Sequence, residues 1–329
     1  MKISMFKTRK SSRILFGFAL LALSVLALPR VFFPPQPQLS EDAWSAMFPF
    51  QSRYVDLENG ARVHFVDEGE GPTLFLLHGN PTSSFLYRHL IAELKSDYRV
   101  VVPDYPGFGR STAPAGYGFT AWEQADSMVE FFDRLKLDDV VIMVQDWGGP
   151  IGFNLAQQRP EHFTGFIIGN TWAWPLEGQQ RYEIFSGLLG GPFGRWVNSA
   201  YNGVVHIFLK RGMVSSVDDD AYAGYFQTFL NGDRTPVTVF PRELIAAAPF
   251  LKKVESGMAG ISEHQALIVW GEQDFAFQEP ERRRFESIFP NHSTTLLPNA
   301  GHFLQEDAPG EIASAIRQAF PPGKRVVFK

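Results

Sequence analysis

Residues 141–152 read VIMVQDWGGPIG, and this stretch decides the fold. An apolar run, Val140–Val144, leads to Asp146, and a helical segment follows Gly148 and Gly149. The pattern predicts a sharp strand-to-helix turn that presents Asp146 at the end of a buried strand. The two glycines suit such a turn because they carry no side chain to crowd it. An aspartate that only caps the N-terminus of a helix is the alternative interpretation.

A second loop follows the apolar run Leu74–Leu77 and reads HGNPTSS over residues 78–84. In enzymes that carry their nucleophile at a strand-to-helix turn, a backbone N–H of this loop binds the oxyanion, together with the N–H after the nucleophile. Here these backbone donors are those of Asn80 and Trp147. A glycine-rich loop, DYPGFGRS at residues 104–111, follows the next strand.

Two polar loops follow strands late in the chain. GEQD at 271–274 ends in Asp274, and NAGH at 299–302 ends in His302. Together with Asp146, the chain order is nucleophile, acid and histidine, as the α/β-hydrolase fold requires. We therefore predict Asp146, Asp274 and His302 as the catalytic residues. Two other carboxylates compete for the role of the acid: Glu177 and Glu272.

Apolar runs alternate with helical segments through most of the chain, as parallel βαβ units require. The runs are Leu74–Leu77, Val100–Pro103, Val140–Val144, Phe166–Ile168, Leu267–Trp270 and Thr294–Leu297. The helical segments between them are Phe85–Leu94, Trp122–Leu135 and Pro150–Gln158. A hairpin precedes them, because Asn59 and Gly60 favour a tight turn between two short strands. We predict an α/β-hydrolase fold with a mostly parallel eight-stranded sheet flanked by helices.

The alternation is interrupted between about Trp174 and Gly260, where the sequence contains no clean buried strand. An insertion of this size between two strands predicts a helical cap at 174–260, between core segments 51–173 and 261–329. Ligands bind at the carboxyl edge of the strands in open α/β sheets. A cap over that edge would enclose the site.

The N-terminus differs from the rest of the chain. Five basic residues precede the apolar run Ile14–Leu28, and no acidic residue occurs before Glu41. This pattern is typical of a signal peptide, and an uncleaved membrane anchor over residues 1–28 is the other interpretation. In both cases we expect the catalytic domain on the exported side. Residues 29–50 are interpreted as a Pro-rich linker.

The composition limits the classes of function. The chain of 329 residues contains no cysteine, which excludes disulfides, thiolate metal sites and cysteine nucleophiles. The formal net charge of −5 gives no reason to expect nucleic acid as a partner. We expect no metal and no organic cofactor.

Four motifs together resemble the haloalkane dehalogenases: HGNPTSS, DYPGFGRS, VQDWGGP and NAGHFLQED. The resemblance covers roughly residues 50–320. It implies that the leaving halide is held by the indole of Trp147 and the amide of Asn80. Many relatives carry the acid as Glu after the sixth strand, where this chain has Asn170. The resemblance to another branch of the family then implies Asp274 as the acid, and suggests self-association.

An aspartate nucleophile determines the chemistry. A carboxylate needs no base to attack an sp³ carbon, and the product is an alkyl ester on Asp146. Water must then cleave that ester, with His302 as the general base and Asp274 orienting the imidazole. The expected partners are therefore a small apolar halogenated substrate and water.

Three other functions remain open. Epoxide hydrolases share the Asp nucleophile but need acidic donors, for which the predicted cap offers four tyrosines: Tyr182, Tyr201, Tyr222 and Tyr225. A coelenterazine-type luciferase also resembles this scaffold, and would emit light in an oxygen-dependent reaction. A hydrolase-fold binding protein with an inactive site is the non-enzymatic alternative.

Overall fold

The computed structural model describes residues 31–227, 229 and 234–323. Eight strands form one sheet: β1 (Arg53–Asp56), β2 (Arg62–Glu68), β3 (Thr73–Leu77), β4 (Arg99–Pro103), β5 (Val140–Asp146), β6 (Phe163–Thr171), β7 (Gln265–Gly271) and β8 (His292–Leu297). Their order is β1-β2-β4-β3-β5-β6-β7-β8; β2 pairs antiparallel with both β1 and β4, and all other neighbouring strands pair in parallel. The predicted mostly parallel eight-stranded sheet is confirmed.

Thirteen α-helices lie in the described part of the chain: α1 (Glu41–Met47), α2 (Arg88–Leu94), α3 (Ala121–Leu135), α4 (Gly148–Gln158), α5 (Gln180–Gly190), α6 (Pro192–Tyr201), α7 (Gly203–Gly212), α8 (Asp219–Gly224), α9 (Thr235–Ala246), α10 (Ala248–Gly257), α11 (Glu279–Ile288), α12 (Leu304–Asp307) and α13 (Pro309–Ala319). Helices α5–α10 lie between β6 and β7, in the interval where a cap is predicted.

The central strands are apolar because both faces of the sheet are covered. All residues of β3 and β5 are buried. Strand β5 extends two residues beyond the apolar run, to Asp146, because the parallel ladder with β6 continues past Val144. Gln145 and Asp146, the polar end of β5, therefore reach the sheet edge as part of the ladder with β6.

The N-terminal segments differ from the sequence-based interpretation in one respect. Residues 29–50, interpreted as a linker, include helix α1, whose first turn is capped by the Ser40 hydroxyl accepting from the N–H of Ala43 at 3.1 Å. Trp44 then stacks on Phe85, with ring centroids 5.1 Å apart. The predicted signal or anchor at 1–28 lies outside the described residues. Among the residues that are described, no helix is long and apolar enough to cross a membrane.

A buried ion pair lies where the region of the predicted cap meets the rest of the protein. Arg88, at the start of α2, donates two hydrogen bonds to the carboxylate of Glu306 in α12, and the hydroxyl of Tyr225 donates a third. Arg88 and Glu306 are both buried. Because an unpaired charge in such a place is expensive, each partner depends on the other.

We predict that Glu306→Gln lowers the free energy of unfolding by about 3 kcal/mol, because it leaves the Arg88 guanidinium buried without its counter-ion. Urea denaturation followed by circular dichroism measures the loss. The matched control is Asp133→Asn, which removes the half-exposed partner of Arg159. That variant should lose less than about 1 kcal/mol. Equal losses in the two variants would contradict the prediction.

Candidate active site

Asp146 lies at the turn between β5 and α4. Its φ of 49° is in the left-handed region, which strains a residue with a side chain, and the residue is buried. A Cβ atom at Gly148 would lie 2.3 Å from the carbonyl oxygen of Leu77. Only glycine fits there without displacing β3. The turn therefore leaves no room for a side chain at position 148, as the sequence predicts.

Two hydrogen bonds from neighbouring strand ends hold Asp146. The backbone N–H of Asn80 donates to its carboxylate Oδ1 at 2.7 Å. The hydroxyl of Thr171, the last residue of β6, donates to its carbonyl oxygen at 2.5 Å. A Cβ at Gly79 would lie 2.3 Å from Oδ1 of Asp146, so glycine is required where the loop meets the carboxylate. The structure thus places the Asn80 amide where an oxyanion donor is predicted.

His302 lies between two carboxylates and is fully buried. Its Nδ1 is 3.0 Å from Oδ2 of Asp274, and its Nε2 is 3.6 Å from Oδ2 of Asp146. The three predicted catalytic side chains are therefore brought together. The imidazole is within hydrogen-bond distance of the Asp274 carboxylate and slightly farther from the Asp146 carboxylate.

The two carboxylates control the charge of His302. Burial lowers the pKa of this imidazole, because it disfavours the charged form. The charge of Asp274, followed by the interactions with Asp146, outweighs burial and raises the pKa of His302 to about 10. The two carboxylates therefore favour the protonated form of His302.

Asp274 has a complete set of partners. Its Oδ1 accepts the N–H of Ala276 at 2.7 Å, and its Oδ2 accepts an N–H of the Asn170 side chain at 2.9 Å. Both competing acids, Glu177 and Glu272, are exposed to solvent. Asn170, which the sequence marks only as a departure from a common pattern, lies beside the acid and positions it.

A cavity of about 90 Å³ opens beside Asp146. Both predicted halide-binding residues, Asn80 and Trp147, line it together with Asp146. The other lining residues are Arg181, Tyr182, Phe185, Phe208, Pro241, Leu244, Phe275, Ala276 and Phe277. The wall is mostly apolar and aromatic, so it suits a small apolar ligand.

Residues 72–309 match the family model described as alpha/beta hydrolase fold. A curated relative, haloalkane dehalogenase 2 of Mycobacterium tuberculosis, is 38% identical over 291 residues, which cover 88% of this chain and 98% of the relative. The chain is a member of the haloalkane dehalogenase family. The resemblance inferred from the four sequence motifs is confirmed.

Solved structures of the family share the fold of this member. A haloalkane dehalogenase from Bradyrhizobium elkani has a TM-score of 0.74 at 23% identity, covering 82% of this chain and 97% of that one. A tetrameric haloalkane dehalogenase from Paraglaciecola agarilytica has a TM-score of 0.72 at 24% identity, covering 87% and 99%. At these identities the likeness is one of fold.

In this haloalkane dehalogenase family member, only one of the four tyrosines proposed as epoxide donors lines the described cavity: Tyr182. Its hydroxyl donates to the carbonyl oxygen of Ala276 at 3.1 Å and lies 3.2 Å from the carboxylate of Glu281. Burial raises the pKa of Tyr182, which makes it a weaker acid. Tyr222 pairs with His206, and Tyr225 with Glu306.

We predict that Asp146→Asn lowers the pKa of His302, because the change removes one of the two negative charges that raise it. Nuclear magnetic resonance of histidine-labelled protein measures the titration of the imidazole. Glu272→Gln, which neutralises an exposed carboxylate near Asp274 in sequence, is the matched control and should leave the titration unchanged. An unaltered pKa in Asp146→Asn would show that Asp146 does not control the base.

Proposed function

We propose that this chain hydrolyses the carbon–halogen bonds of small haloalkanes, giving a primary alcohol, a halide ion and a proton. The observation that carries the proposal is the position of Asp146, between the Asn80 amide and His302, in an apolar cavity that Trp147 also lines. A relative at 38% identity that is named as a haloalkane dehalogenase supports the same reaction. Asp146, His302 and Asp274 are the proposed catalytic residues.

In the first step, Asp146 attacks the carbon that carries the halogen. Its Oδ1 is already bound by the Asn80 N–H, so Oδ2 is the oxygen available as the nucleophile. A bond forms between Oδ2 and carbon while the halide leaves with the electrons of the carbon–halogen bond. The indole N–H of Trp147 and the side-chain amide of Asn80 are the proposed donors to this anion, which needs pairing in an apolar cavity.

In the second step, water cleaves the alkyl ester. Alkylation makes Asp146 neutral, which removes one of the causes that raise the pKa of His302. The imidazole then releases its proton to solvent more readily. In its neutral form it accepts a proton from the water that attacks the carboxyl carbon of the ester, while Asp274 stabilises the new positive charge. The backbone N–H groups of Asn80 and Trp147 are the proposed donors to the tetrahedral oxyanion. Collapse breaks the bond between the carboxyl carbon and the alkyl oxygen; the alkoxide takes the proton of His302 and leaves as the alcohol, and the acid proton of Asp146 passes to His302, which regenerates the carboxylate.

Water is the only co-substrate, and the proposal includes no cofactor. Epoxide hydrolysis has less support, since the hydroxyl of Tyr182 is already committed to Ala276 and Glu281. A luciferase-like reaction or an inactive site has no observation in its favour in the described residues. The intact arrangement of nucleophile, base and acid favours an active hydrolase.

We also infer that the reaction takes place on the exported side of a membrane, from the basic residues and the apolar run at 1–28. The mass of the protein purified from its host distinguishes a signal cleaved after Ala27 from a retained anchor. Self-association is supported by the tetrameric relative, and light scattering of the purified chain tests it.

We predict that Asp146→Ala lowers bromide release from bromoalkanes by on the order of 10⁴-fold or more, because no other group can form the ester. Halide release from brominated and iodinated alkanes measures this, with an epoxide panel alongside. Circular dichroism of the variant checks that the fold is intact. Retained dehalogenation would refute the nucleophile assignment. Diol formation without halide release by the native chain would move the assignment to epoxide hydrolysis.

We predict that His302→Ala still forms the alkyl ester but cannot hydrolyse it, because the base acts only in the second step. Mass spectrometry of the peptide that contains Asp146 should show the added alkyl group after one turnover. The variant His292→Ala, at the start of the edge strand β8, is the matched control and should accumulate no adduct. Absence of the adduct in His302→Ala with a reactive bromoalkane would argue against two steps.

A further inference from the structure

An unusual concentration of exposed apolar side chains lies on helices α5 and α6. Ten large apolar residues are markedly exposed in the described part of the chain, and four of them are here: Ile184 (53%), Leu188 (61%), Phe193 (71%) and Trp196 (41%). Ile184 and Leu188 are four residues apart and so share one face of α5. We call these four residues the α5–α6 face. A cluster of this kind marks an interaction surface.

The α5–α6 face lies next to the active-site cavity. Arg181, Tyr182 and Phe185 of α5 line that cavity, while Ile184 and Leu188 of the same helix are exposed. One helix therefore separates the catalytic cavity from the apolar surface. Whatever covers the surface lies about one helix diameter, roughly 10 Å, from the cavity.

The first described residues of the chain lie close in space to the C-terminal end of α6. Residues 33–36 and the residues around Tyr201 line a common cavity, and the ring of Phe33 lies 5.9 Å from that of His206. Ring contacts continue from there to the α5–α6 face: Trp196 lies 5.7 Å from Tyr201 and 5.9 Å from Phe193. The described residues 33–36 are therefore connected through Tyr201 to this surface.

The sequence of the preceding chain specifies the occupant. Its apolar run, residues 14–28, is shorter than the roughly 20 residues of a full span. Stable anchoring by a short apolar segment takes a second contact, such as an apolar or basic surface. The five basic residues before the run suit anionic lipid headgroups.

The charge of the surface agrees with the same occupant. Arg195 lies exposed between Phe193 and Trp196 in the sequence of α6. Residues 180–201 contain one acidic residue, Glu183, whose carboxylate accepts the N–H of Gly178 at 2.9 Å. Exposed aromatic and aliphatic side chains with interspersed arginine are typical of protein that lies at a membrane interface.

We propose that the α5–α6 face docks on an anionic lipid bilayer, and that the active-site cavity receives lipophilic substrate from that bilayer. The second clause rests on the proposed function, because haloalkanes partition into lipid. The docking itself does not depend on any activity.

The absence of cysteine makes the test direct, since one introduced thiol can be labelled alone. The full-length chain carries Leu188→Cys with a polarity-sensitive fluorophore, and the matched control carries Leu296→Cys on edge strand β8, where Leu296 is 44% exposed. Both are mixed with vesicles of phosphatidylethanolamine and phosphatidylglycerol. We expect both proteins to float with the vesicles, with a blue shift of the emission at 188 and none at 296.

Several results would overturn the docking. One is failure of the chain to float with the vesicles. Another is flotation without a blue shift, which would show that the label at 188 stays in water. A blue shift at 188 that grows with protein concentration in the absence of lipid assigns the surface to a second copy of the chain. A blue shift in the dilute chain without lipid means that the chain covers the surface itself.

A second variant connects docking to substrate delivery. Leu188→Ser should weaken vesicle binding by about tenfold, because it removes one buried leucine side chain from the contact. Hydrolysis of a short bromoalkane dissolved in water should be unchanged, and hydrolysis of a long-chain bromoalkane held in vesicles should fall. Equal rates on vesicle-held substrate would refute delivery from the bilayer. If the native chain hydrolysed neither the dissolved nor the vesicle-held bromoalkane, the proposed function itself would be refuted.

Discussion

The ion pairs of a buried histidine govern the rest of this active site. Burying an imidazole disfavours its charged form, and the structure offsets that cost by placing Asp274 and Asp146 on either side of the ring. The two carboxylates act at different times. Asp274 forms no covalent bond in the proposed reaction, whereas Asp146 loses its charge when it is alkylated. The state of the base therefore follows the state of the nucleophile.

The sheet makes this arrangement possible, because parallel strands deliver their carboxyl ends to one edge. Asp146 ends β5, Thr171 ends β6, and the loops after β3 and β7 bring Asn80 and Asp274 to the same place. Asp146 adopts a positive φ, a strained conformation that the surrounding hydrogen bonds hold. Glycines around the turn allow the loops to approach closely enough to make those bonds. The strain is thus held by contacts from several strands.

The sequence predicted the parts of the site that depend on short motifs. The strand-to-helix turn, the chain order of Asp146, Asp274 and His302, and the sheet could be predicted because each rests on local periodicity or spacing. The hydrogen bond between Asn170 and Asp274 could not be predicted in this way, because the two residues are 104 positions apart along the chain. The same is true of the α5–α6 face: periodicity marks which residues of a helix are apolar, but the packing of neighbouring helices determines which of them remain exposed.

The contact between Asn170 and Asp274 has a consequence for the history of the family. The end of β6 and the loop after β7 place the side-chain amide of Asn170 2.9 Å from the Asp274 carboxylate, which lies 3.0 Å from Nδ1 of His302. Position 170 is therefore one hydrogen-bond length from the carboxylate that binds the imidazole, and its amide orients that carboxylate. Reciprocal substitution at 170 and 274 would exchange the acid and the amide without insertion, deletion or change of topology. Related sequences with the acid at different positions need not have evolved the acid–histidine pair separately.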